Sequence, residues 1–307
     1  MSLISIVIPA FNAAATLPET MESIAAQTWT GWEAIIVEDG SQDDTWAVAQ
    51  RLAAGDPRIK LVRNPGKGPS DARNHGALKV ARGEVIAFCD ADDLWENGKL
   101  ASVALALIFG ASDAAFGRVR FFRGTPGNLG ASSTVPVEPV TVPMLMGENP
   151  VCTMSNLSVR RPVFEALGGF RNDMIHNEDL EWLIRLVGAG YELEGLDSDH
   201  VLYRTSPHGL SSDLVAMEMG RAEALRTARA LGYAPDARAE AVHLRYLARR
   251  ALRLDADPRQ AMALVAKGLR RSVPAFLFPL KRGLPTAIGA LIAPSLPRDL
   301  RRSLFSR

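Results

Sequence analysis

Apolar positions in the first hundred residues alternate between two patterns. Short β-branched runs occupy Ile4 to Ile8, Ala34 to Val37, Ile59 to Val62 and Val85 to Phe88, each the length of a buried strand. Between the first two, Leu17, Met21, Ile24 and Ala25 recur at helical spacing, and Thr16-Leu-Pro-Glu19 ahead of them has the form of a capping box. The pattern predicts a second helix opening near Ser41 and carrying Trp46, Ala49 and Leu52, and a third from near Ser70 to just before Gly83. Strands separated by single helices imply right-handed crossovers: an α/β fold, with a mostly parallel sheet and helices on both faces. Ligands of such sheets sit beyond the carboxyl ends of the strands.

Farther along, residues 125–142 are rich in Gly, Pro, Ser and Val without helical period, which predicts a loop or hairpin. Asn177 is the expected N-cap of a helix on which Leu180, Leu183, Ile184 and Val187 share one face. Beyond Ser212 the pattern is mostly helical, with Pro235 and Pro258 as breaks. The expected division is an α/β domain over 1–212 and a helical region over 213–307.

Composition narrows the class without naming it. With 47% hydrophobic and 22% charged residues among 307, the chain is globular rather than disordered or collagenous. Its two cysteines, Cys89 and Cys152, cannot staple a chain of this size, and Cys89 reads as a small core residue. No apolar run approaches the roughly 18 residues of a membrane span, and no signal-peptide pattern opens the chain, so a cytoplasmic location is expected.

Charge divides the chain sharply. Through Ser212 there are 17 Lys and Arg against 26 Asp and Glu, net −9; beyond it there are 18 against 8, net +10. The basic part reads either as a solvated arginine-rich helical face or as a surface that meets a polyanion or anionic membrane. No nucleic-acid motif and no interleaved stacking aromatics accompany it, so the membrane is the expected partner.

The acidic part collects its carboxylates at strand tips. Glu38-Asp39 follows the second run, and Asp90-Ala91-Asp92-Asp93 follows the fourth. Three carboxylates within four residues repel one another unless a cation, hydrogen bonds or protonation compensates. Either they form a solvated turn capping the next helix, or they hold a hard divalent ion, Mn2+ or Mg2+. Glu178 and Asp179 open the later helix, where acids favour the positive end of the macrodipole and can also be aimed into a cleft.

Taken in order, Ser5-Ile-Val-Ile-Pro-Ala-Phe-Asn12, Val37-Glu-Asp-Gly-Ser41 with Asp44-Thr45, Ala72-Arg-Asn-His-Gly76 and Phe88-Cys-Asp-Ala-Asp-Asp93 with Trp95 resemble a family 2 glycosyltransferase of GT-A fold, bacterial in type and non-processive. The resemblance continues through Gly168-Gly-Phe170, Glu178-Asp179 and Tyr203-Arg204, about two thirds of the chain. It implies a Rossmann-like sheet with nucleotide-sugar contacts from Pro9, Ala10, Phe11, Asn12, Asp39, Arg73, Asn74, Asp90 and Asp92, and a metal held by Asp92 and Asp93. Asp179 matches the catalytic base, and His208 is either a surface histidine or a further metal ligand.

The implied reaction is inverting transfer of one sugar from a UDP-sugar to a hydroxyl on a glycan or lipid-linked acceptor, in cell-surface polysaccharide or glycolipid assembly. Glu38 stands where aspartate is frequent and Asn97 where proline is common, and no Gln-x-x-Arg-Trp follows Glu178-Asp179, which disfavours a processive polymerase. A nucleotidyltransferase would want a glycine-rich basic loop after the first strand, which Ala10 to Thr16 lack; a non-catalytic binding protein would dispense with Asp92, Asp93 or Asp179.

Overall fold

The computed structural model describes residues 2–127, 129–205, 213–254 and 257–305. The chain forms two compact units, Met1–Val140 with Pro150–Pro207 and Thr141–Asn149 with His208–Arg307. His208 and the rest of 206–212 lie outside the described residues.

In the first unit β1 (Ile4–Ala10), α1 (Leu17–Ala25), β2 (Trp32–Glu38), α2 (Thr45–Gly55), β3 (Ile59–Arg63), α3 (Pro69–His75) and β4 (Val85–Phe88) follow the alternation of the apolar runs. Strand β1 pairs in parallel with β2 and β4, and β2 with β3. The remaining strands are β5 (Leu94–Trp95), β6 (Ala114–Phe122), β7 (Leu129–Ser132), β8 (Ser158–Arg160) and β9 (Leu193–Arg204). The sheet order is β3-β2-β1-β4-β8-β6-β9-β5, with β7 on β6. Beyond β4 the pairing is mixed: β8 is antiparallel to β4 and β6, whereas β6 and β9 are parallel. Between loop and hairpin, the described residues of 125–142 begin as a hairpin, β7 pairing antiparallel with β6.

Both faces of the sheet are covered, which is why β1 and β2 read as continuous apolar runs rather than alternating ones. Ile4, Ile6 and Ile8 pack with Leu17, Met21 and Ile24 of α1, Val48 and Ala49 of α2, and Leu100 and Val103 of α4 (Lys99–Ala104). Toward the other face, Val7 meets the continuation of α3 so closely that a Cβ on Gly76 would lie 2.4 Å from Val7 Cγ1. Phe88 there joins Phe164 of α6 (Arg161–Ala166), Phe170 and Trp182 of α7 (Glu178–Gly188) in an aromatic cluster with centroids 5.2–5.7 Å apart. Cys89 is fully buried, as expected of a core cysteine.

Three helix starts differ from the pattern. Thr16 caps nothing with its side chain; its hydroxyl donates to the Ala13 carbonyl, and Glu19 pairs with Arg204 instead of reaching back. Helix α2 opens at Thr45 rather than near Ser41, because Asn12 and Ala14 bond Ser41 and Asp43 and hold 41–44 as a loop. Asn177 occupies the N-cap position of α7 but in left-handed backbone (φ 59), which denies its side chain the extended geometry a cap requires.

The second unit is helical: α5 (Val142–Gly147), α8 (Leu214–Ala230), α9 (Ala237–Arg253), α10 (Pro258–Arg271), α11 (Val273–Leu277), α12 (Leu280–Ile292) and α13 (Arg298–Phe305). The two prolines fall at helix breaks as expected: Pro235 lies between α8 and α9, just before the capping Asp236, and Pro258 follows α9 as the first residue of α10 behind the capping Asp257. The core around α9 is mostly small, with Ala241, Ala248, Ala251, Ala261, Ala290 and Ala293 about Phe276.

Candidate active site

The tips of the parallel strands are sewn together. Asp39 N donates to Ala10 O at 2.9 Å, joining the ends of β2 and β1. Asn12, in left-handed backbone (φ 48), donates its N–H to Ser41 Oγ (3.0 Å) and accepts from Gln42 N (2.8 Å) through Oδ1. Asp39 accepts from Asn64 Nδ2 (2.6 Å) and Gly68 N (2.9 Å), which draws the segment after β3 to the same point. Pro9 is half-buried and Ala10 buried, while Phe11 is exposed at the mouth. A carboxylate has about four acceptor positions, so Asp39 retains capacity for an imide donor.

A second group of charges lies beyond β4. Arg73, a buried residue of α3, donates from Nη2 to Asp90 Oδ1 (2.7 Å) and from Nη1 to Glu178 Oε1 (3.0 Å). This guanidinium joins the tip of β4 to the first turn of α7. Burial, followed by the charge of adjacent Asp179, pushes Glu178 up to about 7 against the pull of Arg73. Burial also raises Asp179, which feels Arg73 and Asp90 as well. Asp92, partly exposed, is pushed up to about 6 by burial and by Asp90.

Asp93 and Asn74 do not open onto this group. Asp93, expected beside Asp92 as a metal ligand, is fully buried and engages both oxygens within the protein: Oδ2 accepts from Ser155 Oγ (2.6 Å) and Oδ1 from Arg204 N (3.0 Å). Asn74, expected near the donor, spends its amide on the chain after α6: Nδ2 donates to Phe170 O and Asn172 Oδ1, and Oδ1 accepts from Phe170 N, all at 2.8 Å. The turn it holds passes through Gly169 at φ 75, where a Cβ would lie 2.4 Å from Asn74 Oδ1.

Two residues without a role in the sequence reading organise the site. Ser155, in the single helical turn Met154–Asn156, accepts from Asp90 N (2.9 Å), donates to Asp93, and offers its carbonyl to Trp95 Nε1 (2.9 Å) and buried Lys99 Nζ (2.6 Å). Arg204, at the end of β9, donates from Nε to Asp92 O (2.9 Å) and from its backbone to Asp93. Ser155 and Arg204 thus fix the backbone of the acidic tip from behind, leaving Asp92 toward solvent.

The profile of the family described as Glycosyl transferase family 2 matches residues 5–168, a little over half of the chain. The chain belongs to glycosyltransferase family 2. It is 43% identical over 103 residues to the Escherichia coli UDP-Glc:alpha-D-GlcNAc-diphosphoundecaprenol beta-1,3-glucosyltransferase WfaP, covering 33% of this chain and 40% of WfaP. Over 196 residues it is 26% identical to glycosyltransferase AglE of Haloferax volcanii, covering 63% of this chain and 64% of AglE. The match thus spans well under half of WfaP and just under two thirds of AglE. Among solved structures, S. aureus TarS 1-349 in complex with UDP superposes with TM-score 0.61 at 17% identity, covering 96% of this chain and 91% of that one. Mannosyltransferase PcManGT from Pyrobaculum calidifontis, in complex with GDP-Man and Mn2+, gives 0.58 at 21%, covering 99% and 84%. At such identities the likeness establishes the fold, which is GT-A.

Among the described residues, no three His, Cys, Asp or Glu side chains form a group that could hold an ion. Asp93 is fully buried, whereas Asp90, bridged to Arg73, and Asp92 are the partly exposed carboxylates of the tip. One or two carboxylate donors, Asp92 with Asp90, fit an ion that takes its remaining ligands from phosphate and water, and do not fit an all-protein cage.

Proposed function

We propose that the protein is an inverting, metal-dependent glycosyltransferase that moves one sugar from a UDP-sugar to an acceptor hydroxyl. The observation that carries this reading is the Arg73 bridge, which ties the acidic tip after β4 to the helix start bearing Asp179. In this reading Asp39 takes the base of the nucleotide, Pro9 to Asn12 line its edge, and Asp92 would hold Mn2+ or Mg2+ at the diphosphate. A bound divalent ion supplies charge neutralisation to the departing nucleoside diphosphate.

Asp179 accepts the proton of the acceptor hydroxyl as that oxygen attacks the anomeric carbon from the face opposite the leaving group. Its raised affinity for a proton suits the task, since a general base works best with a pKa near the operating pH. Arg73 keeps Glu178 and Asp90 paired, so that the added charge of two neighbours does not force Asp179 to stay protonated. Arg73 and Asn74 are in this account positioning residues rather than nucleotide ligands.

The names of WfaP and of WfgD, also of E. coli, specify UDP-glucose and a diphosphoundecaprenol-linked acceptor. They make a UDP-hexose and a lipid-linked sugar the first substrates to test here. Such an acceptor would place the enzyme on the inner face of the cell membrane, in assembly of a surface polysaccharide or glycolipid. No helix among the described residues is long and apolar enough to cross a membrane. The deciding experiment is UDP release from UDP-glucose, with Mn2+ and a polyprenyl-diphosphate-linked N-acetylglucosamine acceptor. UDP-glucose binding without acceptor-dependent turnover across a panel of hydroxyl acceptors would leave a non-catalytic nucleotide-sugar-binding protein.

A further inference from the structure

Helix α12 is oriented the wrong way round for a soluble protein. A helix at a water-facing surface buries its large apolar side chains and exposes polar ones. In α12 the buried positions are Gly283, Thr286, Gly289 and Ala290, all small. The large apolar residues point outward: Leu280 is 49% exposed, Leu284 46%, Ile288 50% and Leu291 69%. Their spacing of four, four and three residues puts them on one stripe of the helix. Phe278, just before the helix, extends the exposed apolar surface.

The charge along this part of the chain is mostly positive, although Arg282 of α12 pairs with Glu148 and Asp299 follows Arg298. From Pro258 to Arg298 the chain carries seven Lys and Arg and no Asp or Glu. Lys281, next to Leu280, and Arg298, seven residues beyond Leu291 at the start of α13, are both exposed. We propose that the outward face of α12 docks on an anionic lipid leaflet, with Leu284, Ile288 and Leu291 entering the headgroup and acyl boundary and Lys281 and Arg298 meeting lipid phosphates. Interfacial helices combine this outward apolar stripe with flanking cations, and their affinity grows with both apolar burial and anionic lipid content. A second copy of the chain is the less fitting occupant. An isologous contact would set a mostly basic surround against itself, with ten Lys and Arg and only Asp299 as a carboxylate from 258 to 307.

The inference does not depend on sugar transfer and is tested without it. The full chain is sedimented with vesicles of equal parts phosphatidylglycerol and phosphatidylethanolamine, and separately with pure phosphatidylcholine. Binding at least about tenfold stronger to the anionic vesicles, and weakened by salt above about 0.15 M, is expected. Combined Leu284→Ser, Ile288→Ser and Leu291→Ser should lower anionic-vesicle binding at least about tenfold. Lys281→Glu with Arg298→Glu should lower it at low salt. All five side chains are exposed, so unchanged circular dichroism and melting temperature will show that the variants fold. Equal binding to both vesicle types, or unchanged binding by the serine variant, overturns the proposal. So does a wild-type dimer by light scattering that the serine variant splits, without vesicle binding, since that assigns the face to a second copy.

Discussion

The two units place apolar and charged residues in opposite ways. In the first, branched aliphatic and aromatic side chains fill both faces of a sheet, and the charges that matter are gathered at the strand tips and the first turn of α7. In the second, alanines and glycines make up much of the interior while leucines and isoleucines of α12 face outward among cations. The difference is physical in origin. A sheet closed on both faces leaves the chain only its strand ends for polar chemistry, whereas helices packed through small residues can turn a large apolar surface to another phase.

The largest effect expected belongs to the first unit. Asp179→Asn keeps the shape of the base but removes its proton affinity, so kcat should fall by about 10²–10⁴-fold while UDP affinity by calorimetry stays near wild type. Asp39→Ala should do the converse in part, weakening UDP binding. Loss of UDP binding in Asp179→Asn, with normal binding in Asp39→Ala, would exchange the two assignments. The corresponding test on the second unit is the serine variant of α12, which should leave turnover with a soluble acceptor unchanged.

Each unit also buries an arginine, and the partners decide its cost. Arg73 faces two carboxylates, whereas Arg245 of α9 directs Nη1 to the carbonyls of Ala275, Phe276 and Phe278, with Glu148 at 3.5 Å from Nη2. Arg73→Met strands carboxylates in a buried position and should cost about 3–5 kcal/mol in urea unfolding. Arg245→Met leaves chiefly carbonyls without a donor and should cost about 1–3 kcal/mol. Equal costs would mean that the carboxylates by Arg73 find water or protonate without penalty.

A smaller effect concerns pH. A carboxyl whose pKa is raised in the folded protein stays protonated to higher pH, and a protonated Asp179 cannot accept the acceptor proton. The acid limb of kcat/KM should therefore inflect above the ordinary carboxylate range. Burial, and then the charge of Asp90, push Asp179 upward, and Arg73 pulls it down, while the charge of Asp179 raises Glu178. Because Glu178 and Asp179 are neighbours, the inflection belongs to the pair. Glu178→Gln removes one negative neighbour and should move it toward acid; an unmoved profile would separate Glu178 from the base.

Much of this was legible in the sequence, and what escaped it has a common cause. The four apolar runs became β1 to β4 with little change in their bounds; β1, β2 and β4 are buried strands that must be largely apolar, and the half-buried edge strand β3 keeps Ile59, Leu61 and Val62. Asp39, Asp90 and Asp92 fall at strand tips because polar chemistry follows wherever such a strand ends. Asp93 was indistinguishable from Asp92 by residue type. Its direction is set by Ser155, 62 residues later, and Arg204, 111 residues later, and no local pattern carries that information. Asn74 escaped likewise, its partner Phe170 being 96 residues away. The Thr16 box failed for the same reason, as Glu19 was drawn to Arg204.

The smallest effect sharpens the contrast between the units most directly. Ile6 of β1 is fully buried between α1 and the sheet, and Ile6→Ala should cost about 2–5 kcal/mol through lost transfer energy and the cavity left behind. Leu284 of α12 is an equally large aliphatic residue, yet nearly half of it is already in water, so Leu284→Ser should change unfolding free energy by no more than about 0.5 kcal/mol. The two native side chains are similarly hydrophobic, and the chief difference between them is where each points. If Leu284→Ser cost as much as Ile6→Ala, the outward face of α12 would be part of a core, and its exposure could no longer be read as a surface kept for lipid. A near-zero cost together with lost vesicle binding would mean that this leucine is retained for what it touches outside the protein.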